Sequence, residues 1–393
     1  MSVKSSEPSA ATPKRRVTLK DIAKALDVAP STVSNAYNRP DQLSEGLREQ
    51  IFATAKTLGY VGPNPMARGL RKGVTNTIGV VYPSSLSYAF TNPVAGLFVQ
   101  GIALEVERQG YTLLLMGGEK GQQTSANPLA PTTANVDGFI VHCFAAGDAL
   151  LQAALARSLP TVLVDQPQDG DLDSGLDSGL DGDLDGDLGE HVSQVASVGV
   201  DDEAGAYAAA KHVLELGHRH LGIISLELDL HPKHAIIDTT RQRHARYGPT
   251  RARLQGYQRA VQDAGLAWED TVRVFECCDN RPDDGRQAAE VLFDSNMPPT
   301  AILAMSDQMA LGALEAARAR HLRVPVDLSV VGFDDMPSAA QARPALTTVH
   351  QPHIDKGKQA GRLLLAQLQT EQQLEAVRLP TRLVVRQSTA EPP

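Results

Sequence analysis

The spacing of apolar residues divides the chain. From Val17 to Tyr60 they recur at helical intervals. Leu19, Ile22, Ala23 and Leu26 share one face of a first helix, Val33, Ala36 and Tyr37 one face of a second, and Leu47, Ile51, Ala55 and Leu58 one face of a third. Thr18 stands as N-cap of the first with Asp21 three residues on, and Asp27 falls at a tight turn where a short polar side chain tolerates left-handed geometry. Pro30 opens the second helix at its favoured first position; Ser44 begins the third and Gly59 ends it. From Thr77 onward, short β-branched apolar runs alternate with amphipathic stretches. Strands are predicted over Thr77–Tyr82, Tyr111–Met116, Gly138–Val141, Thr161–Val164, His220–Ser225, Thr300–Met305 and Leu328–Phe333. Helices are predicted over Val94–Gln109, Asp201–Leu216, Thr250–Ala264, Asp307–His321 and His353–Leu368. Fully apolar strands alternating with helices imply parallel sheets covered on both faces. Roughly ten strands over about 310 residues fit two doubly wound lobes better than one.

Composition refines this division. Hydrophobic residues make up 42%, enough to bury a real core, and no apolar run reaches the length needed to span a bilayer. Residues 1–16 have the composition of a disordered arm ending in Lys14-Arg15-Arg16, residues 17–60 form the compact helical unit, and 61–76 have Gly- and Pro-rich linker character broken by one helical stretch. Residues 77–393 form the two-lobed unit, interrupted by the acidic repeat 169–188. That repeat cannot pack a core and reads as a solvated insertion. It imitates the start of an EF-hand through Asp181, Asp183, Asp185 and Gly186, but Val192 stands where a bidentate Glu would close the calcium loop. Cys143, Cys277 and Cys278 have no metal-ligand spacing and read as thiols in a reducing cytoplasm. The net charge of −9 is unevenly spread: basic residues outnumber acids about two to one before residue 77, whereas Asp165 to Glu190 contains no Lys or Arg. A basic head on an acidic body is the asymmetry expected when one end meets phosphate.

The second helix carries the chemistry of the basic end. With Val33, Ala36 and Tyr37 turned inward, Ser31, Thr32, Ser34 and Asn35 remain on its outer face. A helix-turn-helix unit places such a helix in the major groove. Ser31 and Asn35 would face base edges, where Asn can pair with adenine N6 and N7, and Thr32, Ser34 and Asn38 would meet phosphates. Thr18 and Pro30 complete the candidate set on this unit.

The stretch V-T-L-K-D-I-A…V-A-P-S-T-V-S-N-A-Y-N, residues 17–38, resembles the headpiece of the lactose-repressor/galactose-repressor (LacI/GalR) family. Gly59 to Leu70 resembles that family's hinge helix, which folds on operator DNA and wedges paired leucines into the minor groove. The resemblance implies DNA contacts from Asn64 and Ala67 and a wedge at Leu70. It continues through Asp201-Asp-Glu-Ala-Gly-Ala-Tyr, Ser306-Asp-Gln-Met-Ala-Leu-Gly-Ala, Ser329-Val-Val-Gly-Phe-Asp-Asp and Leu346-Thr-Thr-Val…Gln351. It thereby implies a periplasmic-binding-protein-like body. Asp165, Arg253, Ser306, Asp307, Asp334 and Gln351 match positions that contact a small-molecule effector or lie beside it. Arg253 would grip vicinal hydroxyls or a carboxylate, and Asp334 would accept from hydroxyls. A sugar suits this pair, and a nucleoside or purine is the alternative.

Strand-end acids alone leave a plainer reading open, because Asp307 could simply cap the helix that follows it. Catalytic signatures are missing: there is no phosphate-cradling G-x-x-x-x-G-K-[ST], no H-E-x-x-H and no G-x-S-x-G. The expectation is a cytoplasmic homodimeric repressor that binds double-stranded operator DNA under control of an effector. It has no cofactor, metal, enzymatic activity or membrane partner. A transporter's solute-binding protein would share the lobes but not the headpiece, and an enzyme would need a constellation not found here. No heptad repeat follows Leu368, so a coiled-coil tetramer is not expected.

Overall fold

The structure, a computed structural model, describes residues 17–62, 73–118, 130–145, 148–166, 195–370 and 376–393. The arm 1–16, the acidic insertion 169–188 and Asn64, Ala67 and Leu70 lie outside the described residues. The chain divides into two compact units, Met1–Thr75 and Asn76–Pro393.

The first unit contains α1 (Leu19–Leu26), α2 (Pro30–Asn38) and α3 (Glu45–Leu58). The Thr18 backbone N–H donates to the Asp21 carboxylate at 2.8 Å, as the capping-box spacing predicts. Asp27 ends α1 in the left-handed region (φ 51°) and Gly59 ends α3 likewise (φ 74°). Ile22, Ala23, Val33, Ala36, Ile51 and Ala55 form the buried centre. Small Ala23 and Ala36 let the helices cross closely, and Tyr37 closes one side edge-on to Phe52 and Tyr60.

The second unit is two doubly wound lobes. Lobe 1 is an all-parallel sheet in the order β12-β5-β4-β3-β1-β2. Its strands are β1 (Thr77–Tyr82), β2 (Thr112–Gly117), β3 (Gly138–His142), β4 (Thr161–Val164), β5 (Ala196–Val200) and β12 (Ala376–Leu379). Helices α4 (Pro93–Val106), α5 (Ala149–Leu155) and α10 (His353–Gln369) cover it. Lobe 2 has the order β13-β11-β10-β9-β6-β8-β7, with strands β6 (Leu221–Ser225), β7 (Ala235–Ile237), β8 (Val272–Glu276), β9 (Ala301–Ala304), β10 (Ser329–Asp334), β11 (Thr347–His350) and β13 (Arg382–Val384). Only the margins, β7 and β13, are antiparallel. Its helices include α6 (Asp202–Glu215), α7 (Gly248–Asp263), α8 (Pro282–Phe293) and α9 (Asp307–Ala319).

The chain passes between the lobes three times, at β5–α6, β11–α10 and β12–β13. Two of the crossings are tied together: the Asp201 N–H donates to the Leu379 carbonyl at 2.9 Å, and the Thr381 hydroxyl donates to the Asp201 carbonyl at 2.8 Å. The connection 228–249, for which the sequence offers no pattern, carries β7 and is pinned to the sheet by Arg241. That guanidinium grips the fully buried Glu276 carboxylate through two bonds of 2.8 Å.

Covering helices approach each other through glycine. On α4, a Cβ at Gly101 would lie 2.1 Å from the Ile354 carbonyl oxygen; on α10, one at Gly357 would lie 2.1 Å from that of Phe98. Backbone cannot yield as a side-chain tip can. Gly357→Ala should therefore lower stability by about 1–3 kcal/mol, read as a reduced urea midpoint with an unchanged m-value. A midpoint equal to that of the parent would show that the two helices separate without cost.

Candidate effector cleft and DNA-reading face

On the first unit, α2 presents the polar face expected of it. Ser31 and Asn38 are exposed, Thr32, Ser34 and Asn35 are half-buried, and none packs in the core. Thr18 and Pro30 are exposed as well. The Asn35 amide donates to Gln42 Oε1 at 3.3 Å, which uses one of its two N–H groups. Asn38 folds back onto the Ser34 carbonyl at 3.0 Å. Exposed Lys20, Lys24, Arg39 and Lys56 supply positive charge.

In the second unit, the C-terminal ends of strands from both lobes face one cleft, the place where doubly wound sheets bind small molecules. Asp165, Arg253, Ser306, Asp334 and Gln351 line it, as expected from the sequence. Asp307 does not. It is fully buried beneath the wall, where one carboxylate oxygen accepts from the Thr348 hydroxyl and the other from the Met336 N–H at 2.7 Å. Nor does it cap α9: Ser306 fills that role, accepting from the Met309 N–H at 3.1 Å. A hydroxyl on β11 and the amide that follows β10 draw this strand-end acid beneath the wall rather than into the cleft.

The cleft walls also contain groups that the sequence reading missed: Tyr82, His142, Asn280 and Lys356 on the lining, and Asp202 behind Arg253. In lobe 1, Lys356 on the first turn of α10 bonds Asp165 Oδ2, and His142 Nε2 stands 3.5 Å from the same oxygen. Burial alone would raise the Asp165 carboxyl; Lys356 and His142 outweigh it and hold the group well below the usual carboxylate range. Burial keeps His142 neutral against the pull of that same carboxylate. In lobe 2, Arg253 Nε donates to Asp202 at 2.7 Å, Nη1 reaches the Met305 carbonyl, and the guanidinium stacks 3.8 Å above the Phe333 ring. Its fork is thus largely engaged, leaving Nη2 rather than a free bidentate grip. Gln351 donates to Asp334 at 2.7 Å.

Backbone strain gathers at the same strand ends. Cys143 (φ 53°), Asp165 (φ 54°) and Asp334 (φ 119°) all lie in the left-handed region without being glycine. Such geometry costs on the order of 1–3 kcal/mol per residue and persists only where surrounding structure dictates it. Burial pushes the Cys143 thiol up to about 12, the opposite direction from an activated thiolate. Among the described residues no cluster of His, Cys, Asp or Glu is arranged to hold a metal ion, and no helix is long and apolar enough to cross a membrane.

A helix-turn-helix headpiece joined to a two-lobed periplasmic-binding-protein-like body defines a DNA-binding transcription regulator. Residues 18–64 match the family described as bacterial regulatory proteins, lacI family, and residues 210–389 match the periplasmic binding protein-like domain. An HTH-type transcriptional regulator of Mycobacterium tuberculosis is 39% identical over 90% of this chain and 92% of its own length. The HTH-type transcriptional repressor PurR of Proteus mirabilis is 30% identical over 96% of this chain and 98% of that protein. Among solved structures, the transcriptional regulator CelR in complex with cellobiose superposes with a TM-score of 0.65 at 28% identity, covering 95% of this chain and 100% of that one. The chain belongs to the LacI family.

Burial raises the Asp334 carboxyl from the ordinary 3.8 to about 7, against the pull of Arg253 and Lys356. A carboxyl that holds its proton more tightly when folded adds stability below its ordinary pKa and loses that contribution as pH rises to its folded value. Asp334→Asn should therefore gain stability relative to the parent as pH rises from about 3.8 to about 7. Urea midpoints measured across that range check it; a constant difference between the two proteins would place the titration elsewhere.

Proposed function

We propose that the chain is an operator-binding repressor, acting as a homodimer, whose DNA affinity is set by a small sugar-like molecule held between the two lobes. The observation that carries this reading is the convergence of buried polar groups from both lobes on one cleft, beside the crossings through which the lobes must move. A ligand touching Asp165 on one wall and Arg253 and Asp334 on the other favours one lobe angle over others, and its differential affinity for the two arrangements is what shifts the population. Typical coupling of about 1–3 kcal/mol suffices for regulation. The CelR–cellobiose complex supports a saccharide as the ligand class, and the repressor PurR supports repression as the sign.

In this reading residues 17–60 dock on DNA. Ser31 and Asn35 read base edges, Thr18, Pro30, Thr32, Ser34 and Asn38 position the backbone, and segment 61–76 supplies Asn64, Ala67 and Leu70 to the minor groove. One such helix reads a half-site, so two copies related by a two-fold axis read a palindrome.

Selection of operator sequences by the full chain should return a palindrome, and Asn35→Ala should cost about 1–3 kcal/mol at one base pair of each half-site. Leu70→Ala should weaken specific binding while leaving weak, salt-sensitive association. Removing residues 1–60 should abolish DNA binding and spare ligand-induced stabilisation. Binding indifferent to duplex sequence, or DNA affinity surviving that deletion, would refute the assignment.

A further inference from the structure

We propose that the cleft selects an uncharged polyhydroxylated effector and rejects the phosphate esters, carboxylates and amines derived from it. The inference rests on the effector reading of the cleft and names the chemistry that the reading leaves open.

Among the described residues, the lining contains two side chains with permanent positive charge, Lys356 and Arg253. Both are buried, and each is already committed to a carboxylate of its own lobe, Lys356 to Asp165 and Arg253 to Asp202. A phosphate or carboxylate on the ligand would have to take one of these cations. The carboxylate left behind would then be buried and uncompensated, the costliest state for such a group. Glu227, also on the lining, adds repulsion against an anion.

The atoms that do lack partners are those a hydroxyl satisfies. Asp165 Oδ1 and the Tyr82 hydroxyl oxygen are buried without a hydrogen-bond partner, on residues at the ends of β4 and β1, which flank β3 in the lobe 1 wall. The Tyr82 residue is only 4% exposed and the Asp165 side chain 7%, so water does not freely serve either. Buried polar atoms are nearly always paired in native structures, and a pair left open in a cleft points to a ligand. One ligand hydroxyl can donate to Asp165 Oδ1, and another can accept from Tyr82, as a molecule with several hydroxyls allows. An ammonium would suit Asp165 in isolation, but it would become the second cation on a carboxylate that Lys356 already holds.

The test uses the full-length chain with a panel of uncharged pentoses, hexoses, polyols and disaccharides. It is run beside hexose phosphates, hexuronates, amino sugars and nucleosides, first by thermal unfolding and then by calorimetry. At least one uncharged member should raise the unfolding midpoint, and its phosphate, carboxylate and amino counterparts should bind about 100-fold more weakly or worse. Tyr82→Phe should weaken the binding of that member by about tenfold, the equivalent of one hydrogen bond, without lowering the unliganded midpoint, since it removes a hydroxyl that has no protein partner. Asp165→Asn also breaks the pair with Lys356 and can fail for structural reasons, so Tyr82→Phe is the deciding variant. A charged member or a nucleoside binding more tightly than every uncharged sugar overturns this inference and leaves the effector cleft standing. Unchanged affinity in Tyr82→Phe overturns the role given to its hydroxyl and the inference with it. No stabilisation by any class overturns both the inference and the cleft reading.

Discussion

Two buried cations, each answered by a carboxylate in its own lobe, set the terms on which the effector domain exists. An unpaired charge at either position would be more costly than most folds can bear, so Lys356 with Asp165 and Arg253 with Asp202 must form together with their lobes. Their placement gives them a second role. Lys356 lies on the first turn of α10, just past the β11–α10 crossing, and Asp202 opens α6, just past the β5–α6 crossing. Each ion pair therefore anchors a connecting segment to the wall of the cleft. Whatever binds the cleft presses on the same side chains that fix where the chain leaves one lobe for the other.

The lobes themselves are packed to resist deformation. Glycines bring α4 against α10, and the contacts at Gly285 and Gly312 bring α8 against α9, at separations that admit no side chain between the backbones. Packing this close transmits displacement instead of absorbing it. Cys143, Asp165 and Asp334, with their left-handed backbones, stand at strand ends that border the space between the lobes.

Much of this was legible in the sequence wherever the signal was local. Strand Thr77–Tyr82 is apolar throughout and buried almost entirely, so its composition alone announces it. The capping box at Thr18 and the left-handed turn at Asp27 follow from spacing and residue type, and so does the polar outer face of α2. Margin strands were harder. β12 alternates exposed and half-buried positions and β13 has three residues, which leaves no run to detect. α8 was passed over because its buried face is Gly285, Ala288, Ala289 and Leu292, small residues with little periodic contrast. The cleft was read through residues that a family resemblance marks, and it yielded five of its lining groups. Lys356, His142 and Asp202 stayed hidden because their meaning is non-local. Lys356 meets Asp165 across 191 positions of sequence, and within its own helix it looks like any solvated lysine. Asp307 failed for the converse reason: its local context at a strand end suggests a cleft, whereas Thr348 and the Met336 amide, distant in sequence, draw it below.

The threefold passage of the chain has a bearing on how the protein comes into being. Neither lobe is contiguous: lobe 1 takes its first five strands from residues before 201 but waits for α10 and β12, which end at Leu379. On the ribosome the three-helix head can complete itself from a continuous stretch of chain long before the sensing half exists. Lobe 1 must meanwhile remain an open sheet, missing one margin and a principal cover, until Leu379 has been made. The helical head is thus complete earlier in synthesis than the cleft between the lobes.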